Sequence, residues 1–450
     1  MTHEPIEIYE YATKHITGIK ESELNQNDKK ILKDLDKMEK LSISYAGNSD
    51  NFLQISTSSF IGSVYLERPK KTINIIPKIF KDSTQTRDNL NSFLDFCEDD
   101  ELDLFRNAKN FYKTSNEATL LNRIHNQLLY EYGELEKQGL LKSYVIHAEN
   151  TSSMRGKLLM QHQMINDALL RPQFFCEFDE LEYDSIENRI ILQALTIVQR
   201  TSNNNEIRMR SMDFAQRLSG HVTKTIVTKP KRQRVMQSYN RQNLRYKHIH
   251  NICEKIIEES GIGDIYSGDT SYVSPIFYDM NAYFERFVQK LFKKCYKKTG
   301  FRIELQLSEP AWNGEGNLGP RRMKPDITIW HDNGKSKSCE YILDVKYKTK
   351  NISSGDLYQL GFYMYEFTEI NKKGGSSTEI KTAYAITPEY EEMAHGTYTS
   401  RTKRQVVVKR INFKKCLDVI KHNNFEKIGE EIKEANGDPK ILFNYLCESQ

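Results

Sequence analysis

Several common ways of building a site are missing from these 450 residues. The seven cysteines (Cys97, Cys176, Cys253, Cys295, Cys339, Cys416 and Cys447) stand singly, with no Cys-x-x-Cys pair. That spacing fits reduced thiols in a cytosol and argues against a zinc ribbon or an iron–sulfur cluster. No window approaches eighteen uninterrupted apolar residues, and the start, MTHEPIEIYEYATKHI, has no cationic segment leading into an apolar one. Neither a membrane span nor a secretory leader is expected, and the reading is of a soluble cytoplasmic protein. No Gly-x-x-x-x-Gly-Lys-Ser/Thr loop occurs, so the chain is not expected to hydrolyse a nucleoside triphosphate itself. A net charge of +4 neither demands nor excludes nucleic acid, so the distribution of charge matters more. The length allows two or three domains, each with its own core.

What is present concentrates between Arg321 and Phe367. The run RRMKPDITIWH, turn residues at Asp332-Asn333-Gly334-Lys335, and SCEYILDVKYK predict a β-hairpin. On its second strand the period of two puts Asp344 and Lys346 on one face, with Leu343, Val345 and Tyr347 on the other. A carboxylate and an amine in an otherwise apolar strand are each costly to bury alone; as neighbours they can share a metal, a phosphate or each other. Asp326 enters from the paired strand after Pro325, so two carboxylates can converge on one hard cation such as Mg²⁺. Such a cation polarises a scissile phosphate and lowers the pKa of a bound water, while Lys346 can hold or deprotonate that water or neutralise charge on phosphorus. The chemistry suggested is metal-dependent phosphodiester hydrolysis. Arg321, Arg322 and Lys324 crowd the start of the first strand, as phosphate contacts do.

Two helices frame the hairpin. One runs from Asp279, its expected cap, to Cys295 with Phe284, Phe287, Val288, Leu291 and Phe292 as a buried stripe, and Glu285 on the border of that stripe is a candidate metal or water ligand. The other, capped by Ser354 or Asp356, carries Gln359 and Tyr363 four residues apart. Farther upstream, residues 214–253 contain no Asp or Glu while Lys229, Lys231, Arg232, Arg234, Arg241 and Arg245 recur. A stretch basic throughout suggests a loop or groove lining that meets phosphates. His248 and His250 form a His-x-His pair without a third ligand, which reads as structural.

The remaining chain reads in order as a strand around Ile6–Tyr11 and a helix start. Then come four strand signals from Leu41 to Phe80 forming a small antiparallel unit, and helices over 89–103 and 117–136. A turn at 151–157 leads into LLMQHQMINDALL, then a strand and a helix follow over FFCEFDELEYDSIENRIILQALTIVQR, with a linker at Gly261–Thr270. Beyond the hairpin, TAYAITPEY and RQVVVKRINF read as strands and the last forty residues as helix.

Glu285 on a helix, Pro325-Asp326, Asp344-x-Lys346 and Gln359-x-x-x-Tyr363 occur in the order of the PD-(D/E)xK nuclease signature, and the sequence resembles it. The Gln-x-x-x-Tyr element looks like that of RecB-like nucleases, where it supports the active-site lysine and the DNA. Further stretches narrow the resemblance. Ile61-Gly62 through Ile75-Ile76-Pro77-Lys78-Ile79, Arg155-Gly156-Lys157 with Phe178-Asp179-Glu180-Leu181, Glu187-Asn188-Arg189-Ile190-Ile191 and Tyr283-Phe284-Glu285-Arg286-Phe287 are similar to the McrC family. McrC is the nuclease subunit of McrBC-type (type IV) restriction systems, which cut methylated DNA in antiviral defence.

The resemblance implies a multidomain α/β (α+β) chain. A PD-(D/E)xK endonuclease domain at 271–450, with a mixed central sheet flanked by helices, follows a β-rich N-terminal domain at 1–148 that binds the AAA+ partner and a mostly helical middle region at 149–270. It implies a Mg²⁺ ion, replaceable by Mn²⁺, held by Asp326, Asp344 and Glu285, with Lys346 on the attacking water and Gln359 and Tyr363 in support. It implies docking on a hexameric McrB-like AAA+ GTPase that alone binds GTP and that this subunit stimulates. The substrate is double-stranded, methylated DNA, with dimerisation or collision of two complexes giving double-strand cuts. Two other readings stand beside it: a non-catalytic activator of the AAA+ NTPase, and a stand-alone structure-specific nuclease.

Overall fold

The computed structural model of the chain describes residues 6–47, 51–66, 68–80, 86–98, 120–202, 204–260, 276–314, 319–332, 337–348, 351–390 and 396–447. The architecture is a multidomain α+β arrangement with several sheets. At the N-terminal end, strands Ile6–Tyr9, Lys71–Ile76, Phe60–Leu66 and Ile276–Asp279 form one sheet in that order, and His15–Lys20, Phe52–Thr57 and Leu41–Ala46 form another. Ile8, Ile73 and Ile75 from the first meet Ile19, Leu53 and Ile55 from the second, and helix Gln26–Lys37 closes this core with Ile31, Leu32 and Leu35.

Two features depart from the single antiparallel unit expected. Ile6–Tyr9 pairs parallel to Lys71–Ile76, which the intervening chain permits as a long crossover, and His15–Lys20 is a strand whose short polar pattern gave little signal. Ile276–Asp279, from the far side of the linker region, pairs antiparallel with Phe60–Leu66. Asp279 then caps helix Met280–Cys295 by accepting from the Asn281 N–H, at 3.0 Å. The segment 261–275, which contains the expected linker, lies outside the described residues.

The middle of the chain opens with a two-stranded ribbon, Ser143–Thr151 against Phe174–Glu182, extended by Lys157–Leu158 and carrying helix Met160–Ala168. Helices Ile186–Thr201, Asn205–Ser219, Lys229–Gln237 and Lys247–Ser260 follow. The basic stretch expected to be a loop or groove lining is therefore mostly helical. Pro230 sits in the first turn of its helix, where its missing N–H costs nothing, and Val235, Ile249, Ile252, Cys253 and Ile256 turn inward at helical spacing.

The C-terminal sheet has the order Phe301–Leu305, Ile327–Asp332, Lys337–Val345, Thr382–Pro388, Gln405–Ile411, Gly396–Thr399. Its first two pairings and its last are antiparallel, and the two central ones are parallel. Alternate residues load opposite faces. Ile342, Ala383, Ala385, Val406 and Val408 pack with helix Ser354–Lys373 through Leu360, Met364 and Phe367. Leu343, Val345, Tyr384 and Ile386 join the larger core with helices Met280–Cys295, Phe413–Lys421 and Lys440–Leu446. That core is continuous with the N-terminal half: Phe93 of helix Thr86–Glu98 packs tilted against Phe287 with centroids 4.9 Å apart, and Lys290 Nζ donates to the Phe96 carbonyl at 3.0 Å. Gly429, in helix Phe425–Glu434, lets that helix cross the end of Met280–Cys295 so closely that an added Cβ meets the Cys295 carbonyl oxygen at 2.7 Å. Gly429→Ala should therefore cost about 1–3 kcal/mol of stability, read as a lower denaturant midpoint for unfolding.

Candidate active site

The ladder between Ile327–Asp332 and Lys337–Val345 ends at the Ile327–Leu343 pair, which leaves the Val345 N–H without a strand partner on that side. The Asp326 side chain takes its place, accepting that N–H on Oδ2 at 2.7 Å. On the other side the Lys346 N–H donates to the Ile386 carbonyl at 2.8 Å, so the residues between are gripped from both neighbouring strands. Asp344 is 1% exposed and faces the same way as Asp326 and Lys346, while Leu343, Val345 and Tyr347 enter the core opposite, as the alternation predicts.

Lys346 Nζ stands 2.8 Å from Asp344 Oδ2. The two form an ion pair, and Oδ2 is buried with no other hydrogen-bond partner among the described residues. Burial pushes the Asp326 carboxyl up, and the Asp344 charge beside it pushes further; the Val345 N–H works the other way. Burial likewise raises Asp344, opposed by Lys346. Burial works to lower the Lys346 ammonium, but the two aspartates outweigh it and hold the pKa above its ordinary value. A buried and a half-buried carboxylate facing the same way, with one oxygen lacking a hydrogen bond, fit a hard divalent cation that takes oxygen ligands.

Glu285 is half-buried at the rim. Its Oε1 accepts from Gln306 Nε2 at 2.6 Å and Gln289 Nε2 at 2.8 Å, and its charge raises Asp326. Gln289 and the Gln306 N–H also hold the Asp326 carbonyl, at 3.3 and 3.0 Å. Glu285 thus borders the aspartates without joining them in a three-oxygen cluster. Among the described residues, three ligand atoms gather within 4.8 Å only at His147, Glu180 and Glu182 on the ribbon, where Arg155 stands 3.6 Å from Glu180. Gln289, four residues after Glu285 on one helix face, was legible from spacing; Gln306 carried no signal.

Gln359 Nε2 donates to the Tyr363 hydroxyl at 2.8 Å, so these two support each other. Their helix is capped by Ser353, one residue before the expected Ser354, because Ser353 and Asp356 form a reciprocal capping box; Asp356 also pairs with Lys348. Arg321, Arg322 and Lys324 are exposed on or beside a short strand, Arg321–Met323, that pairs with Glu309–Trp312 rather than with the main sheet.

Of the upstream basic residues, Lys231, Arg234 and Arg241 are exposed and Arg245 donates to the Gln138 carbonyl at 3.4 Å. Lys229 pairs with Glu258. Arg232 departs from its expected phosphate-binding role. It is 6% exposed, bound to Glu254 and donating to the Val227 carbonyl at 2.7 Å, because its helix turns it into the bundle. His248 and His250 lie on a helix, where residues two apart do not converge; buried His250 instead meets the Tyr239 hydroxyl at 2.8 Å and the Glu187 carbonyl at 3.1 Å.

A profile described as "McrBC 5-methylcytosine restriction system component" matches residues 55–373, most of the chain. The chain belongs to this family. A solved McrBC assembly is similar in fold: the refined half-complex from the tetradecameric assembly of Thermococcus gammatolerans McrB AAA+ hexamers with bound McrC. Its TM-score is 0.62 at 17% identity, covering 93% of this chain and 100% of that one. The cryo-EM structure of the Thermococcus gammatolerans McrBC complex gives a TM-score of 0.47 at 20% identity, covering 64% and 87%. No curated protein matches. The McrBC segment contains Glu285, Asp326, Asp344, Lys346, Gln359 and Tyr363, so the whole candidate site lies within it.

One supporting residue lies outside that segment. The Tyr347 hydroxyl, next to Lys346, donates to Glu10 Oε1 from the N-terminal sheet, and the Lys78 N–H donates to the same oxygen at 2.8 Å. Glu10 Oε2 is buried without a hydrogen bond, and nothing local in the sequence announces a contact across 337 residues. Burial pushes the Glu10 carboxyl up to about 7, against the pull of Tyr347 and Lys78. A carboxyl raised in the folded state from its ordinary 4.5 holds a proton that the unfolded chain has lost. Its contribution therefore weakens stability as pH rises from about 4.5 to about 7. In EDTA, Glu10→Gln should flatten the wild type's loss between pH 5 and pH 8 by roughly 2–3 kcal/mol, measured by denaturant unfolding at both pH values.

Proposed function

We propose that this McrBC-system subunit is the nuclease of its complex, a McrC-like metal-dependent endodeoxyribonuclease acting in the cytoplasm. The observation that carries the reading is the pairing of buried Asp344 with half-buried Asp326, with an Asp344 Oδ2 that has no hydrogen bond beside Lys346. A retired site has no physical reason to keep such charges in a half-dry strand end, which weighs against a purely activating subunit. Asp326 and Asp344 hold Mg²⁺, or Mn²⁺ in its place, with Glu285 at the rim. When bound, the cation supplies Lewis-acid polarisation of the phosphate and a more acidic water. Lys346 orients the attacking water and offsets charge gathering on the phosphoryl oxygens, and Asp344 fixes its ammonium in place. Gln359 and Tyr363, bonded to each other, support Lys346 or the DNA strand. One such site cuts one strand, so a double-strand break needs two copies.

The partner reading follows the solved assembly, in which McrC is bound to McrB AAA+ hexamers. The surface that best fits such a partner is the ribbon with its helix. Tyr144, Ile146, Met160, Met164, Ile165 and Leu170 are 55–90% exposed there, a patch that water disfavours and a ring can cover. The N-terminal sheets, expected to supply that contact, bury most of their apolar residues in their own core. GTP belongs to the partner.

Plasmid cleavage in Mg²⁺, on methylated and unmethylated DNA, with and without the AAA+ protein and GTP or ATP, tests this. Cutting should require both proteins and nucleotide. Asp344→Ala should reduce cutting by at least about 10²–10³-fold while stimulation of NTP hydrolysis persists. Cutting by this chain alone would favour an independent nuclease, and stimulation without any cutting would favour the activator.

A further inference from the structure

On helix Ser354–Lys373, which carries Gln359 and Tyr363, and on the ribbon that precedes Asp326 lies an aromatic surface that folding does not explain. Trp312 is 63% exposed, yet its ring lies flat on Phe362, with centroids 5.6 Å apart and planes 4° from parallel. Phe362 is half-buried in helix Ser354–Lys373, and Tyr358, four residues earlier and so on the same face, is 77% exposed. Opposite Trp312 in its two-stranded ribbon stands Arg321, and Lys324 follows two residues before Asp326.

The cations here are not equivalent. Arg322 donates Nε to Ser308 Oγ at 2.7 Å and Nη2 to the Ser308 carbonyl at 2.6 Å, which stiffens the ribbon. Arg321 and Lys324 are exposed and make no hydrogen bond or ion pair among the described residues. The ribbon is pinned from beneath by buried Met323. Two exposed cations and a rigid aromatic face, one residue along the helix from Gln359, are complementary to a polyanion that also offers apolar sugar surfaces.

We propose that Trp312 stacked on Phe362, with Tyr358, Arg321 and Lys324, grips the duplex DNA flanking the scissile phosphate, the cations on backbone phosphates and Trp312 against a deoxyribose. The grip is independent of base sequence. It rests on the nuclease reading above and adds to it the residues that seat the duplex beside the aspartates. Because Trp312 is fixed by Phe362 before binding, little side-chain freedom is lost when DNA arrives.

Binding of the full-length chain to a fluorescent 30-base-pair duplex in EDTA, across a salt series, tests this without requiring cleavage. Trp312→Ala should weaken binding about tenfold and Trp312→Tyr should largely restore it. Arg321→Ala and Lys324→Ala should each flatten the slope of log K against log salt by about one. All three sites are exposed, and unchanged thermal unfolding would set aside misfolding. Wild-type affinity and slope in all the variants would overturn the inference, as would a wild type that does not bind. So would a Trp312→Ala protein that loses only the AAA+ partner. A wild type that binds through these residues but never cuts would instead sink the nuclease reading and leave this surface standing.

Discussion

Two carboxylates held side by side out of bulk water repel each other, and each resists ionisation; the surroundings of Asp326 and Asp344 are arranged around that conflict. Lys346 relieves part of it from one side. One hydrogen-bonding position on Asp344 stays unfilled, and a divalent cation is the chemical species that best removes the rest. An apolar residue of similar size in place of either aspartate would make an easier strand end, so the cost of these charges belongs to function rather than to folding.

That tension needs a stiff frame. Asp326 completes the ladder of the neighbouring strand by taking the Val345 N–H, and the Lys346 N–H is held by Ile386. Tyr347, on the reverse face, reaches Glu10 in a sheet built from the opposite end of the sequence. The same sheet includes Ile276–Asp279, which turns directly into the helix of Glu285. Both routes tie the candidate site to the N-terminal half through backbone pairing and buried polar contacts. A movement of that sheet would therefore be felt at the strand carrying Asp344 and Lys346.

Much of the C-terminal domain was legible beforehand because its signals are local. Alternation fixed which faces Asp344 and Tyr347 take, and helical spacing paired Gln359 with Tyr363; the turn expected at Asn333-Gly334 lies outside the described residues. The basic run at 214–253 misled, since charge density says nothing of which residue a helix turns inward; Arg232 went to Glu254. The parallel pairing of Ile6–Tyr9 and the Glu10–Tyr347 contact were illegible because both depend on partners far apart in sequence. Of the exposed apolar ribbon only the Phe174–Glu182 strand was read and Ser143–Thr151 was missed; periodicity shows which residues share a face but not whether anything covers it.

The most direct test of the account is calorimetric titration of Mn²⁺ into the full chain at pH 7, in two buffers with different ionisation enthalpies. Saturable binding that releases protons is expected, because the cation displaces the proton that Asp326, its carboxyl pushed up to about 7, still partly retains, and Asp344→Ala should lose that binding. Binding with no proton release, or equal binding by the Asp344→Ala protein, would contradict it.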